Sequence, residues 1–153
     1  MALTQTRVSQ LYVAIFNRAS EGEGNIYWQD QVDAKTAATA MLDTADAKEY
    51  FGASLDTDQA FIEHIYRNTL NKTKEDDPDG IDYWVGRLEA GASRGQIVAE
   101  LVAVIENYAP GGLNYDPSDT ATVKAYEQFV NRVEVSNYMA DQVYDTPADY
   151  AVS

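Results

Sequence analysis

The densest run of chemically capable side chains in this 153-residue chain is Glu75-Asp76-Asp77-Pro78-Asp79-Gly80. Hard cations such as calcium take oxygen ligands from alternate positions of a tight loop, with a glycine where the loop turns. Against that pattern Glu75, Asp77 and Asp79 fall at the first, third and fifth places, and Gly80 at the glycine. The pattern then breaks. The twelfth place, which needs a bidentate glutamate, holds Gly86, and the apolar eighth place holds Asp82. A second reading needs no metal: Asp79 caps the helix that follows, and its acidic neighbours are favoured by the helix dipole. Calcium held by Glu75, Asp77 and Asp79 and plain helix capping are the two readings of this turn.

The basic residues suggest anion contacts. Arg67, Lys72 and Lys74 fall in and just after one helix, and Arg18 takes the place equivalent to Lys72 earlier in the chain. Cations at helix ends suit phosphate or acidic sugar groups, or simply balance nearby acids. The chain has 11 tyrosines, more than one core needs. Tyr108 and Tyr115, which flank Pro110-Gly111-Gly112, are expected at the surface. Arg67, Lys72, Lys74, Tyr108 and Tyr115 therefore make up a candidate glycan-binding set. Trp28 and Trp84 sit at helical spacing behind Ile26 and Ile81, which predicts core positions rather than sugar platforms.

Catalytic candidates are scarce. His64 is the only histidine and there is no cysteine, so thiolate chemistry, disulfides and a His/Cys metal shell are all excluded. No Gly-x-Ser-x-Gly elbow and no glycine-rich phosphate loop occurs. The expectation is a protein that is not an enzyme. A formal charge of -14, from 25 acidic against 11 basic residues, argues against nucleic acid and against adsorption to anionic lipid. No apolar run approaches the ~20 residues of a membrane helix, and the amino terminus shows no secretory signal.

The elements that must position these residues are duplicated. Leu11-Tyr12-Val13-Ala14-Ile15-Phe16-Asn17-Arg18, an acidic glycine-bearing turn, and Asn25-Ile26-Tyr27-Trp28 return as Ile65-Tyr66-Arg67-Asn68-Thr69-Leu70-Asn71-Lys72, a second acidic turn, and Ile81-Asp82-Tyr83-Trp84. A period of roughly fifty residues marks a repeated supersecondary unit. Apolar residues recur at three and four throughout, with no sustained strand alternation. The prediction is an all-α bundle of about six to seven helices in a single domain, 1–145. It holds two helix–turn–helix units (8–52 and 57–109), a linker (110–117) and a closing helix (118–144). Predicted caps are Thr4, Asp56, Asp79, Ser93 and Ser118, with Gly52 and Gly91 as helix stops. Residues 146–153 are expected to fray and to lead into a region beyond this sequence.

Together the repeated Tyr, the Asn-Arg/Lys pair, the acidic turn, Tyr-Trp and Gly91-Ala92-Ser93-Arg94-Gly95 resemble a bacterial domain-of-unknown-function family, number 4214. Phe129-Val130-Asn131-Arg132-Val133-Glu134-Val135-Ser136 is similar to that family's closing helix. The resemblance spans about residues 8 to 140. It implies large proteins exported by type I secretion, and the opening is most similar to the lipopolysaccharide-attached amino-terminal region of S-layer proteins. The function so implied is a secreted cell-surface anchoring module that binds lipopolysaccharide or another surface polysaccharide, with calcium as a possible bridge. The family supplies no catalytic residue. The rival expectation is a scaffold making homo-oligomer or lattice contacts without glycan, and a third is a hydrolase or lyase acting on surface polysaccharide.

Overall fold

Helix starts other than that at Glu21 are set by hydroxyl and carboxylate caps. In the computed structural model, which describes residues 2–142, Thr4 accepts from the Arg7 N–H (3.0 Å) and opens α1 (Gln5–Phe16). Val8, Leu11, Tyr12 and Ile15 form its buried face. Asn17 ends it in a left-handed backbone. Then follow α2 (Gly22–Gln29), α3 (Ala34–Leu42), α4 (Ala45–Phe51) and a 3-10 turn (Gly52–Leu55). The second unit is α5 (Asp58–Leu70), α6 (Pro78–Glu89) and α7 (Arg94–Glu106), and α8 (Thr120–Gln142) closes the chain. The described residues are all-helical, with eight α-helices rather than six or seven. The extra count arises because Asp33 and Thr44 each cap a separate helix, splitting the alanine-rich stretch in two. The carboxy-terminal end of the predicted closing helix and the frayed tail, 143–153, lie outside the described residues.

Three predicted caps move by one or two residues. Thr57, not Asp56, caps α5 by accepting from the Ala60 N–H (3.1 Å). Asp77, not Asp79, caps α6, with Pro78 in the first turn where a missing N–H costs nothing. Asp119, not Ser118, receives the Thr122 N–H (3.2 Å) at the start of α8, while Ser118 donates to Asp116 (2.6 Å). In each case two cap-forming residues stand close together, and sequence alone does not rank them.

The duplication is visible in the packing. α1 lies on α5 and α3 lies on α7, so two helices of the first unit meet their own counterparts. The segment Gly91-Ala92-Ser93-Arg94-Gly95 makes this possible. Gly91 turns at φ 112° to end α6, and Ser93 caps α7 through the Gln96 N–H (3.1 Å). Arg94 donates to the Leu55 carbonyl (3.0 Å) and to Asp58 (3.2 Å), and covers the Phe61 ring. At Gly95 a side chain would meet the Thr39 backbone nitrogen at 2.7 Å, so only glycine lets α3 approach this closely.

α8 packs on α1, α5 and α2. Its seam with the first unit is polar and buried. Gln29 donates to Asn25, Asn25 to Ser20, Ser136 to Ser9 (2.8 Å) and Ser9 to Asn137 (2.7 Å). Since Ser136 spends its one hydrogen on Ser9, Ser20 must donate to Ser136 (3.0 Å). The chain of donors is therefore directed and complete, which fixes the register of α8.

Candidate ligand-binding cleft

The acidic turn does not gather into a metal centre. Among the described residues no three carboxylate or imidazole side chains come together as a cation shell. Glu75 and Asp79 are exposed, and Asp77 turns inward. Its carboxylate accepts from the Gly80 N–H (3.1 Å) and from the Tyr66 hydroxyl (3.1 Å). Asp76 accepts from both the N–H and the hydroxyl of Thr73, which holds its carboxyl below the usual range. The residues present do not fit a resident calcium, and the turn's carboxylates serve local backbone geometry.

The basic set is divided. Arg67 is exposed on α5, and Lys74 pairs with Asp82 (3.6 Å) on α6. Lys72 behaves differently. It lines a cleft of about 480 Å3 between the end of α5, the turn after it and the start of α8. Asn71, Asp76, Asp119, Lys124 and Gln128 share that lining. Asp119 is committed to the N–H and hydroxyl of Thr122, and these hydrogen bonds hold its carboxyl down, with a smaller contribution from Lys72. Neither Lys72 nor Lys124 forms an ion pair among the described residues. Two ammonium groups thus face a polar cleft whose acids already hold their own partners. Lys124 and Gln128 were invisible to sequence reasoning, because only the return of α8 brings them beside Lys72.

Tyr108 is half-buried near Asp77 and Asp119, and burial first, then those carboxylates, raises its phenol pKa. It packs against the core rather than offering a free face. Tyr115 is exposed in the loop before α8, as expected. Trp84 is buried and Trp28 half-buried against the core. Each indole lies beside a buried phenol of the preceding repeat helix, Trp28 by Tyr12 and Trp84 by Tyr66. Burial and the nearby Glu21 push the Tyr12 phenol up to about 12. Burial and Asp77 raise the Tyr66 phenol likewise.

His64 bridges Ser54 (3.0 Å from Nδ1) and Tyr50 (3.0 Å from Nε2), while Tyr50 donates to Asn68 (3.3 Å). That leaves the phenol oxygen to accept from Nε2–H and Nδ1 to accept from Ser54. A Ser–His contact invites a nucleophile reading, but a nucleophile's base is held by a carboxylate that stabilises the imidazolium. Here the third group is a phenol, and burial together with Arg67 lowers the histidine pKa. The arrangement weakens the base and ties α4, the 3-10 turn and α5 together.

Residues 38–110 match the family model described as a domain of unknown function (DUF4214). That segment belongs to the family. The DUF4214 match runs from α3 into the loop after α7, so it takes in the Tyr66–Asp77–Gly80–Trp84 constellation and Gly91 to Gly95. No curated protein and no solved structure matches the chain. No helix among the described residues is long and apolar enough to cross a membrane.

Proposed function

We propose that this chain is a non-enzymatic anchoring module of a secreted protein of the bacterial cell surface, and that it binds lipopolysaccharide or a related surface polysaccharide. The observation that carries the reading is the pairing of Lys72 with Lys124 on one cleft whose acids are already engaged. Charge-assisted hydrogen bonds from two ammonium groups suit a phosphate or sugar carboxylate. The two ammonium groups matter because they balance Asp76 and Asp119 in the cleft, whereas the chain as a whole, at -14, repels polyanions. Likeness of the opening residues to S-layer amino termini adds the cell-surface setting and type I export.

The test is sedimentation of the chain with vesicles of the producing cell's lipopolysaccharide, in calcium and then in chelator. Saturable binding is expected, weakened about a hundredfold in K72A/K124A, since each of the two lysines supplies a charge-assisted hydrogen bond of about 1.5 kcal/mol or more. Binding is expected to survive chelation, because the acidic turn forms no cation shell. Binding lost only in chelator would move the contact to a cation bridge, and absence of binding in both conditions would overturn the reading.

A scaffold reading has one observation of its own. Val135 and Tyr138 lie one turn apart on α8 and are exposed, 50% and 64%. Self-association seen by light scattering, and abolished by V135D/Y138D, would favour lattice contacts over glycan.

A further inference from the structure

Tyr27 and Tyr83 hold the same place in the two repeat units, and both are more than half exposed, 60% and 57%. Each ring stands edge-on to the tryptophan that follows it. The centroids are 4.9 Å apart at 83° for Tyr27–Trp28, and 5.0 Å apart at 80° for Tyr83–Trp84. Those tryptophans are anchored in the core, beside the phenols of Tyr12 and Tyr66. The exposed rings therefore rest on fixed bases and lose little rotamer freedom when something settles on them. Core packing accounts for both tryptophans but asks nothing of the residue before each, where an exposed aromatic recurs.

Each ring also has an exposed carboxylate one helical turn before it: Glu23 on α2 before Tyr27, and Asp79 on α6 before Tyr83. A separation of four puts the acid and the ring on one face of the helix. An amphipathic aromatic ring accepts the C–H face of a pyranose, and a carboxylate, being acceptor-only, takes the hydrogens of neighbouring sugar hydroxyls. An acidic sugar would be repelled by that carboxylate and by the net charge of -14. We propose that Tyr27 with Glu23, and Tyr83 with Asp79, are two equivalent subsites for neutral sugar units, so that one chain holds two stretches of polysaccharide. The proposal rests on the polysaccharide-anchoring reading and is separate from the Lys72–Lys124 cleft, which meets anionic groups.

The experiment is titration calorimetry with the producing cell's lipopolysaccharide polysaccharide, freed of lipid by mild acid and cut to short oligosaccharides. The wild-type chain is expected to take two neutral segments. Y27A and Y83A should each lose one, Y27A/Y83A should lose both, and Y27F/Y83F should keep both with affinity within about threefold, since the ring face remains. Circular dichroism on every variant shows whether the fold is intact. Neutral-sugar binding unchanged in Y27A/Y83A would overturn the twin subsites while leaving the anchoring reading to K72A/K124A. A single segment sensitive to only one tyrosine would overturn their equivalence. A wild-type chain that binds no fragment, neutral or anionic, would overturn both.

Discussion

Asn17 and Asn71 close the first helix of each repeat unit in the same left-handed backbone, φ 52° and ψ 40°. Each turn delivers a basic residue at the next position, and there the two units part. Arg18 lies over the rings of Phe16 (5.3 Å) and Tyr12 (5.9 Å), while Lys72 opens onto the cleft at the start of α8. One duplicated position has become packing in the first unit and a free cation in the second. The difference comes from α8, whose beginning meets only the second turn. Arg132 on α8 then ties the two units together, donating to the Asn17 side chain and to the Asn68 carbonyl (2.6 Å).

Replacing Arg132 with methionine is expected to cost about 2 to 3 kcal/mol of stability, since two acceptors lose a half-buried charged donor. Urea unfolding measures this as a lower midpoint with an unchanged slope. In a double-mutant cycle with N17A the losses should be less than additive, because the two substitutions remove one shared bond.

Three glycines in helices should respond in opposite senses to alanine. At Gly95 the new methyl meets Thr39 backbone, which cannot move without separating α3 from α7, and a loss of about 2 to 3 kcal/mol is expected. At Gly80 it meets the Asp77 carboxylate and the Tyr66 hydroxyl, side-chain tips that can shift, and a loss of about 1 to 2 kcal/mol is expected. At Gly86 nothing lies within 4 Å, so alanine should stabilise α6 by about 0.5 to 1 kcal/mol. Thermal melts of the three variants side by side check the order.

Much of this fold is legible in the sequence because local signals agree. Thr4, Ser93 and Gly52 act where their chemistry places them, and Phe61, Ile62, Ile65, Tyr66 and Leu70 are buried as their spacing predicts. Cap choice within Asp56-Thr57, Asp77-Pro78-Asp79 and Ser118-Asp119 is decided by where the helix must start to pack, which is tertiary information. The cleft is further from view. Lys72 is readable as a basic residue after a helix, but its partnership with Lys124 exists only once α8 folds back. The EF-hand-like spacing of Glu75, Asp77 and Asp79 misled because the chain continues as a helix from Pro78, pointing Asp77 inward and Asp79 outward.

The His64 cluster gives the chain a defined acid response. Burial, and secondarily Arg67, lower its pKa in the folded state below the ordinary 6.5, so the unfolded chain binds the proton more tightly. Its contribution to stability is therefore complete above about pH 6.5 and is lost as pH falls from there through the folded pKa. Melting temperature should decline between about pH 7 and pH 5 in the wild type, and less steeply in H64Q. The carboxylates of Asp33, Asp76, Asp116 and Asp119, also lowered, act in a more acidic window below about pH 4, so the two effects separate on one pH series.

The paired asparagines offer the sharpest test of the divergence between the two units. Left-handed backbone costs an ordinary side chain about 1 kcal/mol or more, which asparagine softens and glycine escapes. N71A should therefore lose about 1 kcal/mol, and N71G should equal or exceed the wild type. Asn17 carries the same backbone but also receives Arg132, so N17G should gain the conformational relief and forfeit that charged hydrogen bond. A net loss of about 1 kcal/mol is expected for N17G in urea unfolding, opposite in sign to N71G. Equal responses at the two positions would mean that Arg132 holds the units together through the Asn68 carbonyl alone.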